Sequence, residues 1–186
     1  MLKGQDVNKP IIVGQHKTQI INAVHNQVNE EIISTLDANS KTQFLQIIKA
    51  CNISADFFIS GAKSAFEMII KAFSGSDLEM LKFLLIEKIY VGFEQSIHQR
   101  KSSKQTLVSN LIAIDKAELV SASLNGNEAF ITVKFVSQQI NYVTDEQENV
   151  IEGSKNEICT LTDIWTFKKD VTVNNPNWLI VSTNSN

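Results

Sequence analysis

Little in this 186-residue chain suits covalent or metal chemistry. It has two cysteines, Cys51 and Cys159, far apart and without metal-ligand spacing. They read as free structural thiols in a reducing compartment. The three histidines, His16, His25 and His98, do not cluster with them. No set of three or four convergent ligands is visible, so no metal and no cofactor is expected. Seven glycines are too dispersed to form a phosphate-cradling loop. Arg100 is the only arginine, which removes almost every planar fork for anions and leaves lysine as the cation. No run of about 18 apolar residues exists, so no transmembrane helix is expected, and residues 1–14 lack the apolar core of a signal peptide. The net charge of −3 gives no argument for nucleic acid, and none is expected as a partner.

What is present begins with an uneven charge distribution. Residues 40–104 carry nine Lys/Arg against six Asp/Glu, whereas residues 105–153 carry two lysines against seven acids. A mildly basic first half fits anionic lipid head groups or acidic partners.

Hydrophobic periodicity then divides the chain. Ile20, Val24, Val28, Ile32 and Leu36 recur every four residues, a narrow stripe on a helix over 17–37. Such a stripe asks for a partner helix, so a homodimer through this segment is one expectation. Ala38-Asn39-Ser40 breaks the pattern, and a short amphipathic piece follows over 41–50. Residues 56–73 form a helix with Phe58, Ala62, Phe66, Ile69 and Phe73 on one face, capped by Ser54 or Asp56 and closed by Gly75. Ser76-Asp77-Leu78-Glu79 has the form of a capping box. From it one helix is expected to run to about His98, along Leu78, Leu81, Leu85, Ile89, Phe93 and Ile97.

After Lys104 the period changes to two. One long strand is expected over 107–124, bent near Asp115-Lys116 by a bulge. Asn125-Gly126 marks a hairpin, and an apolar strand starts at Ala129. Thr144 to Asn156 reads as a polar loop, Ile158 to Lys168 as a strand and Trp178 to Thr183 as the last strand. Helices first and strands afterwards predict an α+β fold. The expected form is N-terminal helices packed on a curved antiparallel sheet of about four strands, with an extension over 1–53 and the domain proper over 54–186. Asp163 and Asp170 bracket the Trp165 strand, as an acid–base pair or as turn-capping carboxylates. Trp165 and Trp178 read as core aromatics or as a ligand-stacking pair.

Several stretches together carry a family resemblance. Ser60-Gly61-Ala62-Lys63-Ser64-Ala65-Phe66-Glu67, the Phe73 to Asp77 turn and Leu81 to Leu85 resemble the helical half of the Tim forty-four family. Ala129 to Ser137, Glu152-Gly153, Asp163-Ile164-Trp165-Thr166-Phe167 and Pro176-Asn177-Trp178-Leu179 resemble its sheet half. The family comprises a subunit of the mitochondrial import translocase and its bacterial relatives. The resemblance implies a nuclear-transport-factor-two-like or cystatin-like sheet and a non-enzymatic domain peripheral to an inner membrane. It implies as partners an anionic phospholipid surface and proteins of a translocation or membrane complex. Carried over, the lipid contact falls on Lys41, Phe44, Ile47, Ile48 and Lys49, and an apolar pocket on Phe58, Phe66, Phe93 and Trp165. The lysine-rich composition favours a bacterial source. The alternative is a soluble binder of a small apolar ligand, or an enzyme, using that pocket.

Overall fold

The computed structural model describes residues 30–185, so the 17–37 stripe falls mostly outside the described residues. Helices α1 (Ala38–Cys51), α2 (Ala55–Gly75), α3 (Leu78–Leu84) and α4 (Glu87–Ser102) come first. Strands β1 (Thr106–Asn125), β2 (Glu128–Thr144), β3 (Val150–Gly153), β4 (Cys159–Asp170) and β5 (Leu179–Ser185) follow. The predicted α+β order holds, with five strands in one antiparallel sheet ordered β1-β2-β4-β5 and β3 also paired to β2.

Local chemistry places the helix boundaries. Asp37 accepts the N–H groups of Asn39 (2.9 Å) and Ser40 (3.0 Å), so Ala38-Asn39-Ser40 is the first turn of α1 and not a break. The break lies just before it, at residues 34–37. Ser54 Oγ accepts from Phe57 N–H at 3.1 Å and starts α2. At the far end of α2 it is Ser76, not Gly75, that takes the left-handed conformation, with φ of 57°. Asp77 N–H then reaches back to the Ala72 carbonyl at 2.8 Å. Ser76 is thereby spent on closing one helix, and Asp77 caps the next, accepting from Met80 N–H at 3.0 Å.

The single helix expected from Leu78 to His98 is two. Leu85 is extended and bridges Ile180 of β5, and Ile86 N–H donates to the Ile180 carbonyl at 3.1 Å. A long-range backbone bond replaces a helical one, and both Leu85 and Ile180 are buried at that junction.

In the sheet, β1 pairs along β2 with register shifts at Leu111/Ala113, Ile114/Lys116 and Leu119/Ser121. Such irregularities bend and twist a strand, and the middle one sits where the bend was expected. Asn125 pairs with Glu128 across a two-residue turn in which Gly126 has φ of +61°, a conformation glycine adopts without steric cost. The expected loop at Thr144–Asn156 contains β3, whose four residues extend the line of β4 along β2.

The helices cover one face of this sheet. Ala129, Ile131, Val133 and Phe135 of β2 and Trp165 and Phe167 of β4 are buried there. Phe66 stacks on Phe135 at 4.5 Å and leans on Trp165 at 4.7 Å between ring centroids. Each such side chain stabilises the fold by about 1.5–3 kcal/mol through burial alone. α1 shares this core: Phe44 meets Phe58 edge-on at 6.0 Å, so the expected boundary after residue 53 falls between two helices of one packed unit. The opposite face is polar, with Lys134 paired to Glu118, Lys168 paired to Glu128, and Thr132 bonded to Thr166.

Candidate functional site

An apolar groove of about 680 Å³ opens between the end of α1, the first half of α2, α3 and the connection from Lys169 to Trp178. The connection lies here because β4 ends at Asp170, whose carboxylate accepts the N–H (2.9 Å) and hydroxyl (2.6 Å) of Thr172 and turns the chain over the helices. The Lys169 ammonium donates to the carbonyls of Val173 and Asn175 and holds that turn closed. Gly61, Ala62 and Ala65 line the groove on α2. A methyl group added at Gly61 would meet nothing within 4 Å. Small residues here leave room rather than admit a neighbouring element.

Aromatic residues form the walls. Trp178 meets Phe58 edge-on at 5.1 Å. At the rim Phe57 is 63% exposed and Phe83 56% exposed, with Met68 also exposed. Two exposed phenylalanines on one apolar opening oppose the usual drive to bury such groups. The titratable side chains on the lining are Cys51 and Lys169. Burial pushes the Cys51 thiol up, with the Lys169 charge offsetting only part of this, so the thiol stays protonated near neutral pH.

The residues expected to touch lipid are placed differently. Phe44 and Ile47 are completely buried in the core. This corrects their assignment as membrane contacts, because α1 spends its apolar stripe on α2 and the sheet. Lys41 pairs with Glu30 at 3.0 Å, Ile48 packs against the core, and Lys49 remains exposed.

The four pocket residues do not line one cavity, although Phe66 and Trp165 touch in the core. Phe58 lines the groove. Phe66 and Trp165 are central core residues, because Trp165 sits mid-strand on the buried face of β4. Phe93 packs edge-on against Phe73 at 4.9 Å under a shallower hollow of about 330 Å³. Of the two tryptophans it is Trp178, not Trp165, that lines the groove. Phe57 and Phe83 were not singled out by the periodicity. Their only signal is being aromatic while out of phase with the buried stripes of their helices.

Asp163 is buried on the core face and Asp170 lies in the turn. Seven residues of strand separate them by roughly 23 Å, so they form no acid–base pair. No cluster of three His, Cys, Asp or Glu suited to a metal occurs among the described residues, and no described helix is long and apolar enough to cross a membrane. Above the core, β2 carries a polar strip. Gln139 donates to Ser137 (2.9 Å), Asn141 donates to Gln139 (3.2 Å), and Ser109 bonds Asn141 (2.5 Å).

Residues 43–185 match the family model of the Tim44-like domain. The chain belongs to that family. The matched region of this Tim44-like domain begins inside α1 and takes in the whole groove. Among solved structures it is similar to the intermembrane-space region of the chloroplast protein ARC6. The identity there is 14% and the TM-score 0.48, over 68% of this chain and 94% of that one. It is also similar to an NTF2-like superfamily protein from Salmonella enterica serovar Typhimurium strain LT2, at 11% identity and a TM-score of 0.41, over 72% and 92% of the two chains. No curated protein matches.

Proposed function

We propose that this Tim44-like domain is a non-enzymatic interaction module that rests peripherally on an inner membrane, on the cytoplasmic side in a bacterial source. It would support protein translocation or membrane-complex assembly through lipid and protein contacts. The observation that carries the reading is the pair of exposed phenylalanines, Phe57 and Phe83, on one apolar groove. Exposed Lys49 and Lys82 stand next in sequence to the groove residues Ala50 and Phe83, and a lysine near an anionic surface contributes about 1 kcal/mol. Apolar insertion with cationic attraction is the combination that holds a protein on a bilayer surface without spanning it.

Co-flotation with cardiolipin-rich vesicles tests this. Binding is expected at low salt and is expected to weaken as salt rises. Phe57→Asp with Phe83→Asp should reduce it by about tenfold or more, since each ring loses its burial in the acyl region. Absence of flotation at low salt, or binding indifferent to the double variant, overturns the lipid part of the proposal.

A second reading is favoured by the groove itself, whose volume is that of a small-ligand site. It predicts saturable uptake of a free fatty acid by a protein that ignores vesicles. Chemistry in the groove would have to use Cys51 or Lys169, and burial holds the thiol in its unreactive form.

A further inference from the structure

β3 has a partner on one side only. It pairs with Tyr142, Val143 and Thr144 of β2, and among the described residues no strand pairs with its other edge. β5 stops opposite Asp163, so among the described residues the outer edge of β4 from Cys159 to Thr162 is uncovered as well. The two uncovered edges follow one line along β2, since β3 and β4 both pair on that side of it. Unpaired strand edges accept an added strand through backbone hydrogen bonds. Three apolar side chains stand exposed along this line: Val150 at 41%, Ile151 at 49% and Ile158 at 54%.

Charge selects the occupant. Glu148, Glu152 and Glu157 are exposed and make no ion pair among the described residues. The neighbouring charges are already committed. Asp145 accepts from Gln147 and Asn149 to shape the loop, Glu146 is paired with Lys104, and Lys155 lies over the Tyr142 ring. A second copy of the chain would set the same three carboxylates against each other, and an anionic bilayer would be repelled. We propose that the β3–β4 edge binds an extended peptide segment in which lysine or arginine alternates with apolar residues, added as a strand beside β3. The site lies at the opposite end of β4 from the groove, roughly 40 Å away along the strand, so it stands independently of the membrane reading.

The test uses the full chain and a short capped peptide alternating lysine and valine. A peptide alternating glutamate and valine is the control. Binding of the lysine peptide should slow amide hydrogen exchange at residues 150–153 and 159–162 and should weaken with salt. Glu152→Lys with Glu157→Lys, on exposed positions, should weaken binding by about tenfold. Ile151→Pro, which removes a backbone donor, should abolish the slowed exchange. If that variant fails to fold, the charge reversal and the exchange map still decide. Slowed exchange confined to the groove helices, equal binding of the glutamate peptide, binding indifferent to the charge reversal, or dimerisation through this edge would each overturn the proposal.

Discussion

Ser54 is a small side chain with a large consequence, since it starts the helix whose Phe58 and Phe66 organise the aromatic core. Ser54→Ala should cost about 1 kcal/mol, seen as a lower urea midpoint with an unchanged slope. Four carboxylates make a related contribution that depends on pH. Bonds from Ser40 to Asp37, from Asn149 to Asp145 and from Thr172 to Asp170 hold these groups below the usual carboxylate range, and Lys134 does the same for Glu118. A folded-state pKa below the unfolded one stabilises the fold fully above the unfolded value and loses that effect as pH falls through the lowered one. The melting temperature should therefore drop on acidification, and the gap between wild type and Asp37→Asn or Asp145→Asn should narrow as it does. A constant gap down to acid pH would contradict this. Ser54 was legible as a cap because its bond is local. The groove role of Trp178 was not, because Phe58, the ring it meets, is 120 positions earlier in the chain.

Among elements, the junction between α3 and α4 shows where periodicity stops being informative. Leu78, Leu81, Leu85, Ile89, Phe93 and Ile97 keep a helical spacing straight through the break. What breaks the helix is Ile180, nearly a hundred residues away, whose carbonyl takes the Ile86 N–H. Ile86→Pro removes that bond, along with part of a half-buried side chain. Ile86 has φ of −69°, which proline adopts, and Leu85 at φ −108°, ψ 147° is compatible with a following proline. The substitution should cost about 1 kcal/mol, the net worth of one hydrogen bond, in chemical denaturation. Unchanged stability would mean that the break needs no support from β5. The bulged β1 and the Asn125-Gly126 hairpin, in contrast, were readable because alternation and turn chemistry are local. β3 was missed because four polar-flanked residues carry no period of their own.

The whole molecule is polar along β4. One end carries the groove with its exposed phenylalanines, and the other carries β3 and its uncompensated glutamates. The basic and acidic halves of the sequence are not separated in the same way, since Lys104 pairs with Glu146 beside β3 and Glu128 stands opposite Asp170 near the groove. In the proposed membrane reading the groove end meets the anionic surface and the β3 edge is turned away from it. The order of elements has a further consequence. Among the described residues the helices precede the strands, and the junction at Leu85 waits for Ile180. On the ribosome, α1 to α4 emerge with their apolar faces bare, and the surface that covers them is synthesised last. The nascent chain therefore keeps apolar helix faces exposed until the strands are made, and a ribosome stalled before Leu179 would hold an intermediate whose α3–α4 junction has no partner strand.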